Sequence, residues 1–241
     1  MTIINCVKED YTKAFDRVKH SEIIQILQNL DIDGKDLRMI RNIYSEQSSA
    51  VRIETQVRKC QTIKRGVRQG CVLSPDLFSS YSEQIMRQIK DIPGVKVNGH
   101  MINNVRYADD IAIIAESENK LHKLMDKIVS ESEKMGLSLN ARKTETMVVS
   151  RKPTISNCCI KVNNKEIQQA HRYLGTWITS DGKGETEIKC RIAQAKSTFQ
   201  QMKNIFCNRN IAEELKMKLP QCYVEPVLLY ACETWTMNQR M

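Results

Sequence analysis

Val105-Arg106-Tyr107-Ala108-Asp109-Asp110-Ile111-Ala112-Ile113-Ile114 sets two short apolar runs on either side of adjacent carboxylates. The pattern reads as strand, tight turn and strand. Aspartate is at home in turns, so the pair alone also suits an ordinary solvated hairpin. The tyrosine two positions ahead and the apolar strand behind point further. A turn above a buried hairpin holds its two acids at the mouth of a cleft, where they can bind divalent cations. Magnesium takes one or two protein carboxylates together with substrate phosphates. Two such ions clamp both oxygens of an in-line phosphoryl displacement. That chemistry requires a third carboxylate on a neighbouring strand.

The 241 residues allow one large or two small domains, and 41% hydrophobic with 27% charged content is ordinary for a globular protein. A net charge of +9 and a pI near 9.1 suit a polyanionic partner, without separating nucleic acid from a membrane surface. No apolar stretch approaches the span of a bilayer, and Met1-Thr2-Ile3-Ile4-Asn5-Cys6 lacks the regions of a signal peptide. The expected location is intracellular, nuclear or cytoplasmic, and not secreted. The nine cysteines include no C-x-x-C pair, and the four histidines form no ligand-spaced cluster with them. Reduced, packed thiols and no zinc site are expected.

Upstream of the acidic hairpin, Asp10 ends a first strand and offers the third carboxylate. Ser21 reads as the N-cap of a helix with Ile23, Ile26, Leu27 and Leu30 inward. Asp33-Gly34 breaks that helix, and Leu37, Ile40 and Tyr44 mark the next. Val51 to Ile63 alternates like a polar-faced hairpin. Lys64-Arg65-Gly66-Val67-Arg68-Gln69-Gly70 is a basic loop whose glycines permit close backbone approach. Ser74-Pro75 opens a helix, with Leu77, Tyr81, Ile85 and Ile89 as its buried stripe. Val95 to Gly99 is a strand entering an Asn-Gly turn.

Downstream, Ser117 caps a helix that Gly136 closes. Leu137-Ser138-Leu139-Asn140 alternates as a strand, Lys143 sits in a connection, and Met147-Val148-Val149 is a further strand. Ile160 to Lys165 reads as a hairpin and Arg172 to Ile178 as a single strand. After Ser180-Asp181-Gly182, Ile188, Ile192, Ala195, Phe199 and Met202 recur at helical spacing among lysines and arginines. A domain boundary is therefore expected near residue 181.

Taken together, these residues closely resemble the reverse transcriptases of non-LTR (LINE-type) retrotransposons, and more distantly those of group II introns. Asp10-Tyr11-Thr12-Lys13-Ala14-Phe15-Asp16 resembles the family's motif A. Gly66 to Pro75 is similar to motif B, Tyr107-Ala108-Asp109-Asp110 to motif C, Gly136 to Thr144 to motif D, and Tyr173-Leu174-Gly175 to motif E. The resemblance implies an α+β right-hand polymerase palm, an antiparallel sheet with packed helices, over residues 1–180. A partial helical thumb would follow over 181–241, with the fingers missing. It implies an RNA-directed DNA polymerase, a nucleotidyltransferase acting on an RNA template, a DNA primer and deoxynucleoside triphosphates.

Asp10, Asp109 and Asp110 would surround two magnesium ions, with manganese as a substitute, and Lys143 would donate a proton to pyrophosphate. Phe15 would be the steric gate against a 2′-hydroxyl. Arg68, Gln69, Gly70 and Tyr107 would contact template and nucleotide. Lys189, Arg191, Lys196 and Lys203 would hold the duplex by its phosphates, a salt-sensitive contact. Three positions depart from the family pattern: Lys8-Glu9 in the strand before Asp10, Asp76 after Ser74-Pro75, and Pro220 within a thumb helix. The alternative reading is a truncated, catalytically inactive remnant that only binds nucleic acid.

Overall fold

The computed structural model describes residues 4–9, 11–45, 47–57, 59–150, 159–162 and 165–236. In chain order, β1 (Ile4–Glu9) leads to one turn of helix, α1 (Ala14–Arg17), then α2 (His20–Asn29) and α3 (Gly34–Ser45). Next come β2 (Ser48–Ser49), β3 (Arg52–Ile53), β4 (Gln56–Val57) and β5 (Gln61–Thr62). The pairs β2–β5 and β3–β4 are both antiparallel, so the segment is one nested hairpin. Helix α4 (Ser74–Arg87), the hairpin β6 (Val95–Val97) and β7 (His100–Ile102), and the hairpin β8 (Asn104–Tyr107) and β9 (Asp110–Ala115) follow. After α5 (Glu118–Lys134) come β10 (Glu145–Val149), β11 (Lys161–Val162), β12 (Lys165–Glu166), β13 (Gln168–Gln169), β14 (Arg172–Tyr173) and β15 (Thr176–Trp177). Helices α6 (Glu185–Gln201), α7 (Lys203–Phe206), α8 (Glu213–Leu219) and α9 (Glu225–Leu228) complete the described chain.

The described residues fall into two compact units, 4–148 with 159–169, and 149–150 with 170–236. The division therefore falls about ten residues before the expected one at 181, because the Arg172–Trp177 segment is held by side chains that follow it.

In the larger unit a five-stranded sheet runs in the order β13-β10-β1-β9-β8. Its centre is antiparallel, with Val7 opposite Ile113 and Glu9 opposite Ile111. Side chains alternate between the faces of a strand, and the core follows that alternation. Val7, Ile111, Ile113 and Ala115 join the core cluster with Leu121, Leu124 and Ile128 of α5, whereas Ala112 does not. Helix α5 packs on β1 and β9, and α4 packs on α5 and α2. The other face of β9 carries Asp110, Ala112 and Ile114, with Ala112 buried and Asp110 half-buried at the strand's start.

Local readings hold where burial is periodic. Helix α4 buries Leu77, Tyr81 and Ile85. Ser117 caps α5, its hydroxyl accepting from Lys120 N, and Gly136 ends it with φ +78°. Helix α4 opens at Ser74-Pro75 as expected, and the Ser74 hydroxyl donates to Arg68 O at 2.5 Å, anchoring the basic loop. Three local expectations need correction. Ser21 is not an N-cap, since α2 begins at His20 after an extended Lys19. Leu137–Asn140 makes one isolated bridge, Leu139 to Tyr11, instead of a strand. Arg172–Ile178 is not one strand but the tight hairpin β14–β15, turning at Leu174 and Gly175, both with positive φ.

In the smaller unit Pro220 does not break the helical run. A π-helical turn, Pro220–Val224, joins α8 to α9. Proline lacks the N–H that an α-turn needs there, and a π segment absorbs the misfit within the helix. Asp76 is exposed in the first turn of α4, where an acid suits the helix dipole.

Candidate active site

The acidic hairpin is as tight as the chain permits. Tyr107 pairs with Asp110 in register, leaving Ala108 and Asp109 as a two-residue turn. Ala108 has φ +53°, a conformation costly for a residue with a Cβ and retained here at the tip. Asp109 is exposed on the turn and Asp110 half-buried at the start of β9. Residues directly opposite share a face, so Tyr107, 68% exposed, lies on the same side as Asp110. Arg106, on the other face, donates to Glu83 of α4 at 2.6 Å. Burial pushes the Glu83 carboxyl up, but Arg106 and then Arg87 outweigh it and hold the group below the ordinary carboxylate range. This bond ties the hairpin to the helical layer while the acids stay on the open side.

The neighbouring strand end converges on the same place. β1 ends at Glu9, opposite Ile111 and next to Asp110 in the ladder. Asp10 lies outside the described residues. Immediately after it, Tyr11 bridges Leu139 and Thr12 N donates to Ser138 O at 2.9 Å. The Tyr11 hydroxyl is buried against the Ser132 hydroxyl at 3.0 Å. The motif D segment is thus stitched to the residues that follow β1.

That segment turns around Asn140. Its carbonyl accepts from Lys143 N at 2.9 Å, Thr144 N at 2.8 Å and Thr144 Oγ1 at 3.0 Å. Its side-chain oxygen accepts from Arg142 N, an Asx turn. Lys143 is exposed on this built turn.

Phe15 and the basic loop form a second assembly. Val67 N donates to Phe15 O and Gly66 N to Val18 O, both at 2.8 Å. His20 Nε2 meets Gly66 O at 2.8 Å. At Gly66, φ is +97° and a Cβ would come within 3.3 Å of the Asp16 backbone, so both conformation and space require glycine. Phe15 is half-buried and stacks on Phe78 of α4. Arg68, Gln69 and Gly70 are exposed, and the Arg68 guanidinium donates to Ile43 O at the end of α3.

In the smaller unit Lys189, Lys196 and Lys203 are exposed and in no ion pair with a described residue, but Arg191 is not a surface cation. It is 9% exposed, and its Nε bonds Oε1 of Glu187, itself 2% exposed, at 2.5 Å. Nη2 donates to Gly175 O at 2.8 Å, and the guanidinium lies 4.4 Å from the centroid of the Tyr230 ring. Trp177 N donates to Glu187 Oε2, and the Tyr230 hydroxyl to Leu174 O. The duplex-binding expectation for Arg191 is therefore corrected. Its charge is spent on a buried acid and on the β14–β15 turn.

Residues 5–178 match the model of the family described as "Reverse transcriptase (RNA-dependent DNA polymerase)". The chain belongs to the reverse transcriptase family. Its sheet and helical layer are a right-hand polymerase palm. Its relatives include proteins of retrotransposable and other mobile elements. It is 27% identical to the Pol polyprotein from the type-1 retrotransposable element R2 of Popillia japonica, over 98% of this chain and 34% of that protein. It is 28% identical to the R2DM Pol polyprotein of Drosophila melanogaster, over 77% and 18%. Identity is 24% to the RNA-directed DNA polymerase from mobile element jockey of Drosophila funebris, over 96% and 26%. The chain thus spans about a third or less of the length of these curated relatives. Among solved structures it is similar to apo telomerase from Candida Tropicalis, with TM-score 0.47 and 18% identity over 61% of this chain and 29% of that one.

Within this reverse transcriptase palm, several positioning residues escape a reading by motif. His20 is a lone histidine, and nothing in its neighbourhood announces that it will clamp Gly66. Lys19 Nζ donates to Lys134 O at the end of α5, where the Tyr81 hydroxyl donates to Met135 O. Burial pushes the Tyr81 hydroxyl above its usual pKa. Asn140 carries a signal that could have been read, an asparagine opening a polar turn.

Proposed function

We propose that this chain performs RNA-directed DNA polymerisation, joining deoxynucleoside triphosphates to a primer on an RNA template. The observation that carries the proposal is the Ala108–Asp109 turn, which holds Asp109 and Asp110 at the end of the sheet where β1 also ends. Asp10 follows Glu9 directly and is proposed as the third acid.

No cluster of three metal-capable side chains occurs among the described residues. The donor set nonetheless fits a hard divalent cation, because two adjacent carboxylates, one exposed and one half-buried, leave room for phosphate oxygens and water. Magnesium, or manganese in its place, would be held by Asp10, Asp109 and Asp110. Bound there, such ions lower the pKa of the primer 3′-hydroxyl and offset charge on the leaving pyrophosphate.

The chain's own residues supply position. The new bond joins the primer 3′-oxygen to the α-phosphorus as the bond to the leaving pyrophosphate breaks; the 3′-hydroxyl proton passes to solvent water, and Lys143 gives the pyrophosphate a proton. Phe15, braced by Phe78 and by the backbone of the basic loop, lies under the sugar and excludes a 2′-hydroxyl. Arg68, Gln69, Gly70 and Tyr107 line the template and nucleotide, and Lys189, Lys196 and Lys203 hold duplex phosphates. Phosphoryl transfer draws its catalysis from such positioning and charge. Holding reactants in attack geometry accounts for about 7–11 kcal/mol of barrier.

The test is single-nucleotide incorporation on an RNA-templated primer with magnesium, beside Asp109→Asn and Asp110→Asn variants. The expected result is incorporation by the unaltered chain and background in both variants, with primer-template affinity retained. Equal incorporation in chain and variants would remove the proposed site.

A further inference from the structure

We propose that the exposed basic face built by α3, the nested hairpin β2–β5 and the loop after it is a track for single-stranded nucleic acid, leading unpaired template to Arg68–Gly70. It rests on the polymerase reading and names the path of the unpaired strand.

Helix α3 turns Leu37, Ile40 and Tyr44 toward the core. Lys35, Arg38 and Arg41, three residues apart, remain exposed on its other side. At 1.5 Å per residue they span about 9 Å. The hairpin adds Arg52 and Lys59, and the loop adds Arg65, all exposed.

These pieces are joined. Gln47 Nε2 and the Arg68 guanidinium both donate to Ile43 O at the end of α3. Ile63 N donates to Gln47 O at 2.7 Å, tying the base of the hairpin to the same point. The face is therefore continuous from Lys35 to the loop proposed to meet template.

Elsewhere in the larger unit several cations are matched by acids. Arg87 and Arg106 share Glu83, Lys127 and Lys134 share Glu131, and Lys120 takes Glu116. None of the six cations on this face makes an ion pair among the described residues, although Asp36 and Glu54 lie in the same stretch. A row of unmatched charge is complementary to a row of phosphates.

The hairpin's aliphatic residues favour an unpaired strand. Val51, Ile53 and Val57 are 62%, 56% and 63% exposed beside the cations. A duplex keeps its base faces stacked inside, whereas a single strand offers them to apolar surface.

The experiment compares two RNA–DNA hybrids, one with a long unpaired RNA template overhang and one blunt, in salt titrations of binding to the full chain. In the first variant Lys35→Gln, Arg38→Gln and Arg41→Gln are combined. In the second, Arg52→Gln is combined with Lys59→Gln. Every changed residue is exposed, and thermal melting checks that each variant folds. Single strands release about 0.7 counterion per phosphate, so the first variant should lower the salt slope for the overhang hybrid by about 2. Its affinity for the blunt hybrid should stay constant.

Equal losses on both hybrids would make the face a general duplex contact and overturn the track. No loss on either would make it a solvated or protein-facing surface, with the same consequence. If the unaltered chain bound neither hybrid, the polymerase reading and the track would fall together. Binding of the blunt hybrid with no gain from the overhang would remove the track alone.

Discussion

The ring of Phe15 lies stacked on that of Phe78, centroids 4.8 Å apart and planes 19° from parallel. One ring comes from the turn after β1 and the other from α4, so the contact sets the height of Phe15 above the sheet. Full Phe→Ala truncations in cores cost about 3–5 kcal/mol, and a stacked pair contributes about 0.5–1.5 kcal/mol beyond area. Phe15 is half-buried, so Phe15→Ala should cost about 1–3 kcal/mol in urea unfolding. Ribonucleotide incorporation relative to deoxynucleotide should rise in the same variant, while Phe15→Tyr leaves the ratio low. An unchanged ratio in Phe15→Ala would reduce the ring to packing.

Arg191→Met should unfold the helical unit more readily than any exposed lysine substitution. It leaves the buried Glu187 carboxylate without its charge partner, a loss of about 3–5 kcal/mol for such pairs. Combining it with Glu187→Gln should recover much of that cost. Urea midpoints of the two single variants and the double variant give the coupling directly. Additive losses would mean that the pair is not acting as a unit.

Gly136→Ala tests the junction at the end of α5. Gly136 has φ +78°, and a Cβ there would come 2.8 Å from Cε of Lys19. The left-handed backbone alone costs about 1–2 kcal/mol for a residue with a Cβ. Displacing Lys19 should add the loss of its bond to Lys134 O. In a Lys19→Ala background the steric part should vanish and the backbone part remain. Thermal melts of the four proteins separate the two.

Acid should loosen the link between the acidic hairpin and α4. The Glu83 carboxyl is held below its ordinary value of 4.5 by Arg106 and Arg87, which outweigh burial. A depressed folded pKa means stabilisation that is present above the unfolded value and lost as pH falls through the folded one. Glu83→Gln should therefore be less stable than the parent at neutral pH and should converge with it as pH falls below 4.5 and through the depressed folded value. The pair is about a third exposed, so solvent screening keeps the difference small. Parallel stability curves through that range would show that the bond contributes nothing.

What the sequence alone determined was local and periodic. The acidic hairpin and the α4 and α5 stripes follow from burial alternating along a strand or recurring along a helix, and the Asn98–Gly99 turn from two residues that accept positive φ. Such patterns are written into neighbouring residues. Tertiary structure decided which side chains those elements would meet. Arg191 sits among lysines in sequence, yet it is buried because Glu187 lies one turn back and β14–β15 and Tyr230 close over it. Arg172–Ile178 looks like a strand until Leu174 and Gly175 turn it on itself, with the Leu174 and Gly175 carbonyls satisfied by Tyr230 and Arg191. His20 and Lys19 read as an unremarkable pair before a helix, and only the folded chain brings Gly66 and Lys134 to them. The partner of a charged or polar side chain is set by whatever segment packs across it, and no local period records that choice.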